Sequence, residues 1–250
     1  MKAIHEAAFN YASGTRSYFG LLLTGSETAP KAACVLLPDW RGLSPLARDH
    51  ARFLVELGCT VVIADLYGDG FTPSSPDQVG PMVQRLVEHR EEGVGALAAC
   101  ISQLRKVVPE GTPILCLGYS AGGMIALDYG RSGAIISGII LCSALLKTAA
   151  PGMNAFIRAP VLVLQGTQDQ VSPMATIVAV VSDMDKAGND VRFELYSQTH
   201  HAFDNPEAGE DTNARLCYSP RSGRRAQRAI ASFLTEVIEQ SEQSHGHLVS

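Results

Sequence analysis

The sequence of 250 residues lacks the marks of several large protein classes. Lys and Arg number 20 against 25 Asp and Glu, so a net charge of −5 gives no basic excess for nucleic acid or an anionic membrane surface. No stretch approaches about 18 uncharged apolar residues, and residues 1–6 lead into no apolar run. We therefore expect no nucleic-acid partner, no membrane-spanning helix and no signal peptide.

The six cysteines form no C-x-x-C pair, so the pattern indicates neither a metal cluster nor a redox-active disulfide. Four of them lie within apolar runs that are typical of buried strands. We interpret the cysteines as small core residues of a protein kept in a reducing compartment. We expect a cytoplasmic protein, monomeric or homodimeric, that uses no metal and no other cofactor.

The composition that remains suits one α/β domain with a full core, because 46% of the residues are hydrophobic and 18% are charged. Apolar strand-like runs alternate with helical patterns six or more times, which predicts a mostly parallel sheet covered by helices on both faces. We assign residues 1–240 to this single domain and residues 241–250 to a frayed polar C-terminal tail.

The expected strands and helices can be placed along the chain. Two short strand candidates flank a turn at Gly14, and the better one spans residues 17–23. Further strands are predicted over residues 32–37, 60–64, 113–117, 134–142, 160–165 and 191–196. One helix begins at Ser44-Pro45, and others are predicted over residues 79–89, 94–107, 172–186 and 224–240. We expect the break between the second and third helices near Gly93 and Gly95.

A G-x-S-x-G pattern lies where an apolar strand passes into an Ala- and Leu-rich helix, in the stretch Gly118-Tyr119-Ser120-Ala121-Gly122. Such a sharp turn strains its central residue, and the flanking glycines remove side chains that would collide. Ser120 is then held at the carboxyl end of the strand as a candidate nucleophile. The backbone N–H of Ala121, at the positive end of the following helix, is a candidate oxyanion donor. The alternative is a glycine-rich turn with an idle serine.

Two later loops supply the groups that a serine nucleophile needs. Asp169 follows one predicted strand, and His200-His201 follows the next. The chain order serine, aspartate, histidine is the one required on this type of sheet. A neutral imidazole removes the hydroxyl proton, and a carboxylate orients the imidazole. We favour His201 over the adjacent His200 as the base, while a simple turn-forming role for Asp169 stays the alternative.

Residues after the other strands are candidates for the substrate pocket. Asp39-Trp40 follows the first long strand, and the backbone N–H of Trp40 is a candidate second oxyanion donor. Asp39 either contacts the hydroxyl or imidazole or is a turn aspartate, and Trp40 either walls an acyl pocket or caps the core. Tyr67 and Tyr119 are further pocket candidates. Ser143 also follows a strand but lacks flanking glycines, so we interpret it as structural.

These motifs together resemble the dienelactone hydrolase family of α/β-hydrolases. The resemblance covers roughly residues 30–240 and is carried by the stretches 37–43, 64–68, 118–123, 166–169 and His201-Ala202-Phe203-Asp204-Asn205-Pro206. It implies an α/β-hydrolase fold with an eight-stranded, mostly parallel sheet and a Cys/Ser–His–Asp triad, here Ser120, His201 and Asp169. It also supports the backbone of Trp40 and Ala121 as oxyanion donors.

The sequence departs from the founding members of that family at three points. Those members have cysteine where Ser120 stands and glutamate where Asp39 stands. They also bind the substrate carboxylate with arginines, one shortly after the histidine, whereas residues 202–206 here contain none. A cofactor-free serine esterase or lactonase therefore fits better, acting on a small-molecule ester or lactone that is neutral or otherwise different from the substrate of the founding members. The alternatives are a dienelactone hydrolase proper and a non-catalytic ligand-binding member of the fold.

Access to the site can be predicted independently of the family. Large lids of this fold commonly enter after the strand that follows the elbow strand. Residues 143–159, which occupy that place, are too few for a lid domain. We expect no large cap domain and an open site shaped by the loops 39–46, 66–80 and 144–158.

Overall fold

The apolar runs of the sequence form the strands of one sheet. The structure, a computed structural model, describes residues 3–26, 29–73, 75–150 and 152–246. Its strands are β1 (Ile4–Ser13), β2 (Arg16–Gly25), β3 (Ala32–Leu37), β4 (Cys59–Ile63), β5 (Ile114–Tyr119), β6 (Gly138–Cys142), β7 (Val161–Gly166) and β8 (Val191–Tyr196). They pair in the order β1-β2-β4-β3-β5-β6-β7-β8. Pairing is antiparallel for β1 with β2 and β2 with β4, and parallel from β4 to β8.

The helices cover both faces of this sheet. They are α1 (Pro45–Glu56), α2 (Pro76–Glu88), α3 (Arg90–Leu104), α4 (Ala121–Arg131), α5 (Met174–Lys186) and α6 (Pro220–Gly246). Because side chains alternate along a strand, one set of strand residues packs with α1 and α6 and the other with the remaining helices. The predicted α/β-hydrolase fold with eight strands is thereby confirmed.

Parallel pairing brings the functional loops to one edge. The carboxyl ends of β3, β5, β6, β7 and β8 lie side by side, so the loops that follow them meet there. The connection from β6 to β7 contains only a short 3-10 helix, Met153–Phe156, so the described residues include no cap domain. This edge is therefore shaped by loops alone.

Several element boundaries differ from the sequence prediction, and three of these differences bear on the fold. The break between α2 and α3 falls at His89, and Gly93 and Gly95 lie inside α3. A Cβ at Gly93 would approach Ile125 Cδ1 to 2.6 Å, so this glycine allows α3 to pack closely on α4 rather than ending a helix. Strand β6 begins at Gly138, not at residue 134, because pairing with β5 starts there and Ile135 is exposed.

The third difference concerns the C-terminus. Helix α6 extends through Gly246, so residues 241–246 continue the helix that was predicted to end at residue 240. The rest of the predicted tail, 247–250, lies outside the described residues.

All six cysteines are buried and free of disulfides. Of the helices in the described ranges, none combines the length and hydropathy needed to cross a bilayer.

Candidate active site

The turn between β5 and α4 is strained at its centre. Ser120 has φ 48° and ψ −118°, a conformation that costs a non-glycine residue roughly 1–3 kcal/mol. The two pattern glycines permit the turn through close approach. A Cβ at Gly118 would lie 2.5 Å from the Gly123 Cα, and one at Gly122 would lie 2.4 Å from the Leu37 carbonyl oxygen. The structure thus has the strand–turn–helix geometry that presents Ser120 at the sheet edge.

The structure brings Ser120, His201 and Asp169 into one hydrogen-bonded chain. Ser120 Oγ lies 3.0 Å from His201 Nε2, and His201 Nδ1 lies 2.8 Å from Asp169 Oδ2. Because a carboxylate only accepts hydrogen bonds, Nδ1–H donates to Asp169, which leaves Nε2 as the acceptor for the serine hydroxyl. His201 is 4% exposed and Asp169 is 3% exposed, whereas Ser120 is half-buried and reachable from outside.

The carboxylate of Asp169 is fixed by three donors besides the imidazole. The backbone N–H groups of Val171 and Ser172 donate to Oδ1 at 2.7 and 2.8 Å. The side-chain amide of Gln165 donates to Oδ2 at 2.8 Å. These bonds hold the carboxylate in one orientation, so that it fixes the plane and tautomer of the His201 ring.

The loop that carries His201 is anchored by its own neighbours. Phe203 is fully buried and packs edge-on against Tyr196 with 5.5 Å between ring centroids. The carbonyl oxygen of His201 accepts the N–H of Cys217, and that of Phe203 accepts the N–H of Ser219. The adjacent His200 is half-buried and forms no side-chain hydrogen bond or ion pair with any residue that the structure describes. The geometry thus favours His201 over His200 as the base, as the sequence analysis did.

Two backbone N–H groups, those of Ala121 and Trp40, are the predicted oxyanion donors, and that role stays a prediction. Ala121 is the first residue of α4, so its N–H lies at the positive end of that helix. The close contact of Gly122 with the Leu37 and Pro38 carbonyl oxygens seats the turn before Trp40 against the same helix end. Within the described ranges, neither the Ala121 nor the Trp40 N–H donates a hydrogen bond to another protein group. Both groups are therefore free to bind a substrate oxygen.

Asp39 is bound by Arg41 and makes no hydrogen bond with Ser120 or His201 among the described residues. The Arg41 guanidinium donates to both oxygens of Asp39, the shortest bond being 2.7 Å from Nη2 to Oδ2. It also contacts Glu207 at 2.6 Å. The Asp39 carboxylate thus belongs to a loop-bracing ion pair. Its Oδ1 also accepts the backbone N–H of Arg41 at 3.0 Å, as the turn-aspartate alternative predicts, and a place for Asp39 in the substrate pocket stays a prediction.

The charge of Arg41 is well compensated. Burial lowers its pKa, but the hydrogen bonds and charge of Asp39, with the charge of Glu207, outweigh burial and raise the pKa above its usual value. The guanidinium carbon also lies 5.9 Å from the Trp40 ring centroid. The guanidinium of Arg41 thus forms ion pairs with two carboxylates, and its positive charge is not left unpaired for a substrate.

The aromatic pocket candidates lie at different depths. Trp40 is half-buried, and its carbonyl oxygen accepts the hydroxyl of Tyr67 at 2.8 Å. Tyr67 is buried, and burial raises its pKa well above the usual value, so it remains a neutral donor that braces the Trp40 turn. Both positions are compatible with a loop wall, and lining the substrate pocket stays a prediction for them.

Tyr119 lies beneath the site, on the face covered by α1 and α6. Its ring stacks on His50 with 4.1 Å between centroids, and His50 Nε2 lies 3.4 Å from Asp204 Oδ2. Burial lowers the pKa of His50 and raises the pKa of Asp204, while the charge of each partner partly offsets the shift of the other. Tyr119 thus packs in a core that links α1 to the elbow and to the histidine loop, and its pocket role stays a prediction.

The sequence analysis missed two polar residues of the site. Gln165 is fully buried at the end of β7, where it binds Asp169 and both the N–H and the carbonyl oxygen of Ala144. Its signal was a glutamine that closes an otherwise apolar strand. Ser143, interpreted as structural, lies with its Oγ 3.4 Å from His201 Nδ1. In the part of the chain that the structure describes, no cluster of three or more His, Cys, Asp or Glu side chains could hold a metal ion.

The fold and the serine–histidine–aspartate arrangement together define an α/β-hydrolase. The chain belongs to the dienelactone hydrolase family, because the model of that family matches residues 19–238. A search of the curated proteins finds no match.

Solved structures extend this comparison. The chain is 28% identical to the structure described as "m3DLH", with a TM-score of 0.87 and coverage of 94% of this chain and 99% of that one. It is 23% identical, with the same TM-score and coverage, to the dienelactone hydrolase-like promiscuous phosphotriesterase P91 from metagenomic libraries. A lipase in its open form is 13% identical, with a TM-score of 0.68 and coverage of 94% and 99%. The last two likenesses concern the fold alone.

Proposed function

We propose that this protein is a serine hydrolase that cleaves a carboxylic ester or lactone through an acyl-enzyme. Ser120 is the nucleophile, His201 the general base and acid, and Asp169 the residue that orients the imidazole. The observation that supports this most directly is the unbroken chain of hydrogen bonds, 3.0 Å from Ser120 to His201 and 2.8 Å from His201 to Asp169. Ser120 itself lies on a strained strand-to-helix turn of the kind that presents nucleophiles.

The geometry supports a two-step reaction. Ser120 Oγ attacks the carbonyl carbon as His201 Nε2 takes its proton, and the imidazolium then donates that proton to the leaving alcohol oxygen. A water molecule next attacks the acyl-enzyme, again losing a proton to Nε2, and Ser120 regains its proton as the acid leaves. Asp169 keeps the ring oriented and stabilises it when charged.

The tetrahedral oxyanion of each step would bind the N–H groups of Ala121 and Trp40. Each such donor typically contributes about a hundred- to a thousandfold in kcat, because it is already oriented toward the developing charge. The positive end of α4 adds to this stabilisation. The close seating of Gly122 on residues 37–38 supports the placement of both donors, since it couples the two loops that carry them.

The charge distribution favours a neutral substrate. Arg41 is shared by Asp39 and Glu207, and residues 202–206 after the base contain no arginine. An anionic lactone would have to displace a carboxylate to gain an ion pair with Arg41. Family membership nevertheless keeps the opening of an unsaturated, carboxylate-bearing lactone as the second candidate function.

We further propose that residues 1–240 act as one domain in the cytoplasm. The described strands and helices form one sheet with one covering layer on each face, which supports a single folding unit. Six buried cysteines without a disulfide support a reducing compartment.

The test is hydrolysis of short p-nitrophenyl esters beside a lactone that bears a carboxylate. We expect turnover of the esters and a weaker reaction with the anionic lactone. Ser120→Ala should abolish ester hydrolysis with little change in melting temperature, because the hydroxyl makes no packing contribution to the core. Faster opening of the lactone would favour the second candidate, and near-wild-type turnover by Ser120→Ala would overturn the assignment. No reaction of the wild type with either substrate would favour the third reading, a non-catalytic ligand-binding member.

A further inference from the structure

Ser143 lies between the turn that carries Ser120 and the loop that carries His201. It directly follows β6, is 2% exposed, and its carbonyl oxygen accepts the backbone N–H of Ser120 at 3.2 Å. Its hydroxyl oxygen accepts the backbone N–H of Ala202 at 2.8 Å and lies 3.4 Å from His201 Nδ1. One residue therefore contacts both the nucleophile turn and the histidine loop.

The backbone around these contacts is unusual. Ser143 has φ 47° and Ala202 has φ 60°, both in the left-handed region that favours glycine. Such conformations persist where surrounding contacts determine them, and they gather at functional sites. The bond from the Ala202 N–H to the Ser143 hydroxyl joins the two unusual positions. It satisfies a donor that would otherwise be left without a partner beside the His201 ring.

The residue after Ser143 is hydrogen-bonded to two residues that in turn bind Asp169. Ala144 donates its N–H to the Gln165 side chain, and its carbonyl oxygen accepts the hydroxyl of Ser172 at 2.9 Å. Gln165 and Ser172 both donate to Asp169. The end of β6 is thus fixed relative to the aspartate loop, so Ser143 has a firm position from which to hold the histidine loop.

We propose that Ser143 is a positioning residue, which holds His201 between Ser120 and Asp169 through its hydroxyl; this rests on the proposed function. The hydroxyl fixes the peptide plane after His201 by accepting the Ala202 N–H. It also places a second electronegative oxygen beside Nδ1–H, where it stabilises the ring when the ring is charged. No bond to the substrate is required of it.

The test compares Ser143→Ala and Ser143→Gly with Ser137→Ala. Glycine relaxes the left-handed backbone but, like alanine, removes the hydroxyl. Ser137 is the matched control, because its hydroxyl accepts the Ile114 N–H at 3.2 Å just before β6, at the opposite end of that strand. Both Ser143 variants should lose about ten- to a hundredfold in kcat with KM little changed, because a misplaced base slows the chemical step.

The pH profile separates positioning from a merely structural role. Without the second oxygen near Nδ1 the imidazolium is less stabilised, so the acid limb of kcat/KM should move to lower pH in both Ser143 variants. Ser137→Ala should keep both the wild-type kcat and the wild-type profile. Wild-type kcat and an unmoved acid limb in both Ser143 variants would overturn the proposal.

A second measurement keeps this test independent of the proposed function. In protein with ¹⁵N-labelled histidine, the Nδ1–H resonance of His201 should shift in Ser143→Ala and stay in place in Ser137→Ala. An unchanged resonance would refute positioning by Ser143 even in an active enzyme. An inactive wild type with a shifted resonance would reject the esterase while retaining the role of Ser143 in holding the ring.

Discussion

Replacing Gly122 by alanine should weaken the proposed oxyanion site through a steric effect. An added Cβ would lie 2.4 Å from the Leu37 carbonyl oxygen and 2.5 Å from that of Pro38, both of them backbone atoms. Ordinary contact begins at 3.4 Å, so the end of β3 would have to move away from α4 by about 1 Å. Because Trp40 lies only two residues after Pro38, its N–H would move away from that of Ala121.

The size of the effect follows from this displacement. A misplacement of about 1 Å in a catalytic arrangement costs roughly a hundredfold in rate, or about 2.7 kcal/mol of transition-state stabilisation. Overpacking should also lower the free energy of unfolding by roughly 1–3 kcal/mol. We expect kcat for a p-nitrophenyl ester to fall by about a hundredfold in Gly122→Ala, with KM changed far less, in a protein that still shows the wild-type circular dichroism spectrum.

Gly80→Ala is the control for this substitution. Gly80 lies in α2, and apart from its chain neighbours nothing lies within 4 Å of an added Cβ, so the variant should keep wild-type kcat. Because Pro81 follows and restricts a preceding residue that has a Cβ, we expect no gain in stability. A folded Gly122→Ala variant with wild-type kcat would refute the argument that this close contact holds the oxyanion donors.

Two further predictions concern histidines. His201→Ala should reduce ester turnover by several orders of magnitude and His200→Ala by less than about tenfold, because only His201 reaches Ser120 and Asp169; the reverse ranking in a kcat/KM comparison would move the base to His200. His50→Ala should lower the free energy of unfolding by about 3 kcal/mol at pH 7, since it removes the partner of the Asp204 carboxylate, whose side chain is 13% exposed. Burial raises the folded-state pKa of Asp204 above its unfolded value, so acidification from neutral pH protonates this carboxylate in the folded protein. The deficit in the free energy of unfolding should therefore shrink as the pH of the urea titrations is lowered. A deficit that grows on acidification would contradict this account.

The local part of the site could be predicted from the sequence. Ser120 is identified by two glycines, a preceding strand and a following helix, all within a few residues. Asp169 and His201 lie in the loops that follow β7 and β8, and parallel pairing brings such loops to one edge of the sheet. The sheet follows for the same reason, since runs such as residues 32–37 are apolar throughout and must be covered on both faces.

What the sequence did not show depends on contacts between distant segments. Ser143 and Gln165 make their contacts only when β6 and β7 lie beside the histidine and aspartate loops, and neither has a local spacing pattern. The break between α2 and α3 was placed wrongly at Gly93, because the sequence does not distinguish a glycine that permits close helix packing from one that ends a helix. Asp39 was placed correctly at the edge, but its partner Arg41 could be identified only from the structure.

The most direct test of the central claim is covalent labelling by a fluorophosphonate, followed by mass mapping of the modified peptide. We predict one adduct per chain, on Ser120, with no labelling of Ser120→Ala. The reaction should be slow in His201→Ala, because the hydroxyl then lacks its base. Absence of an adduct on the folded wild-type protein, or an adduct on a different serine, would contradict the assignment of Ser120 as the nucleophile.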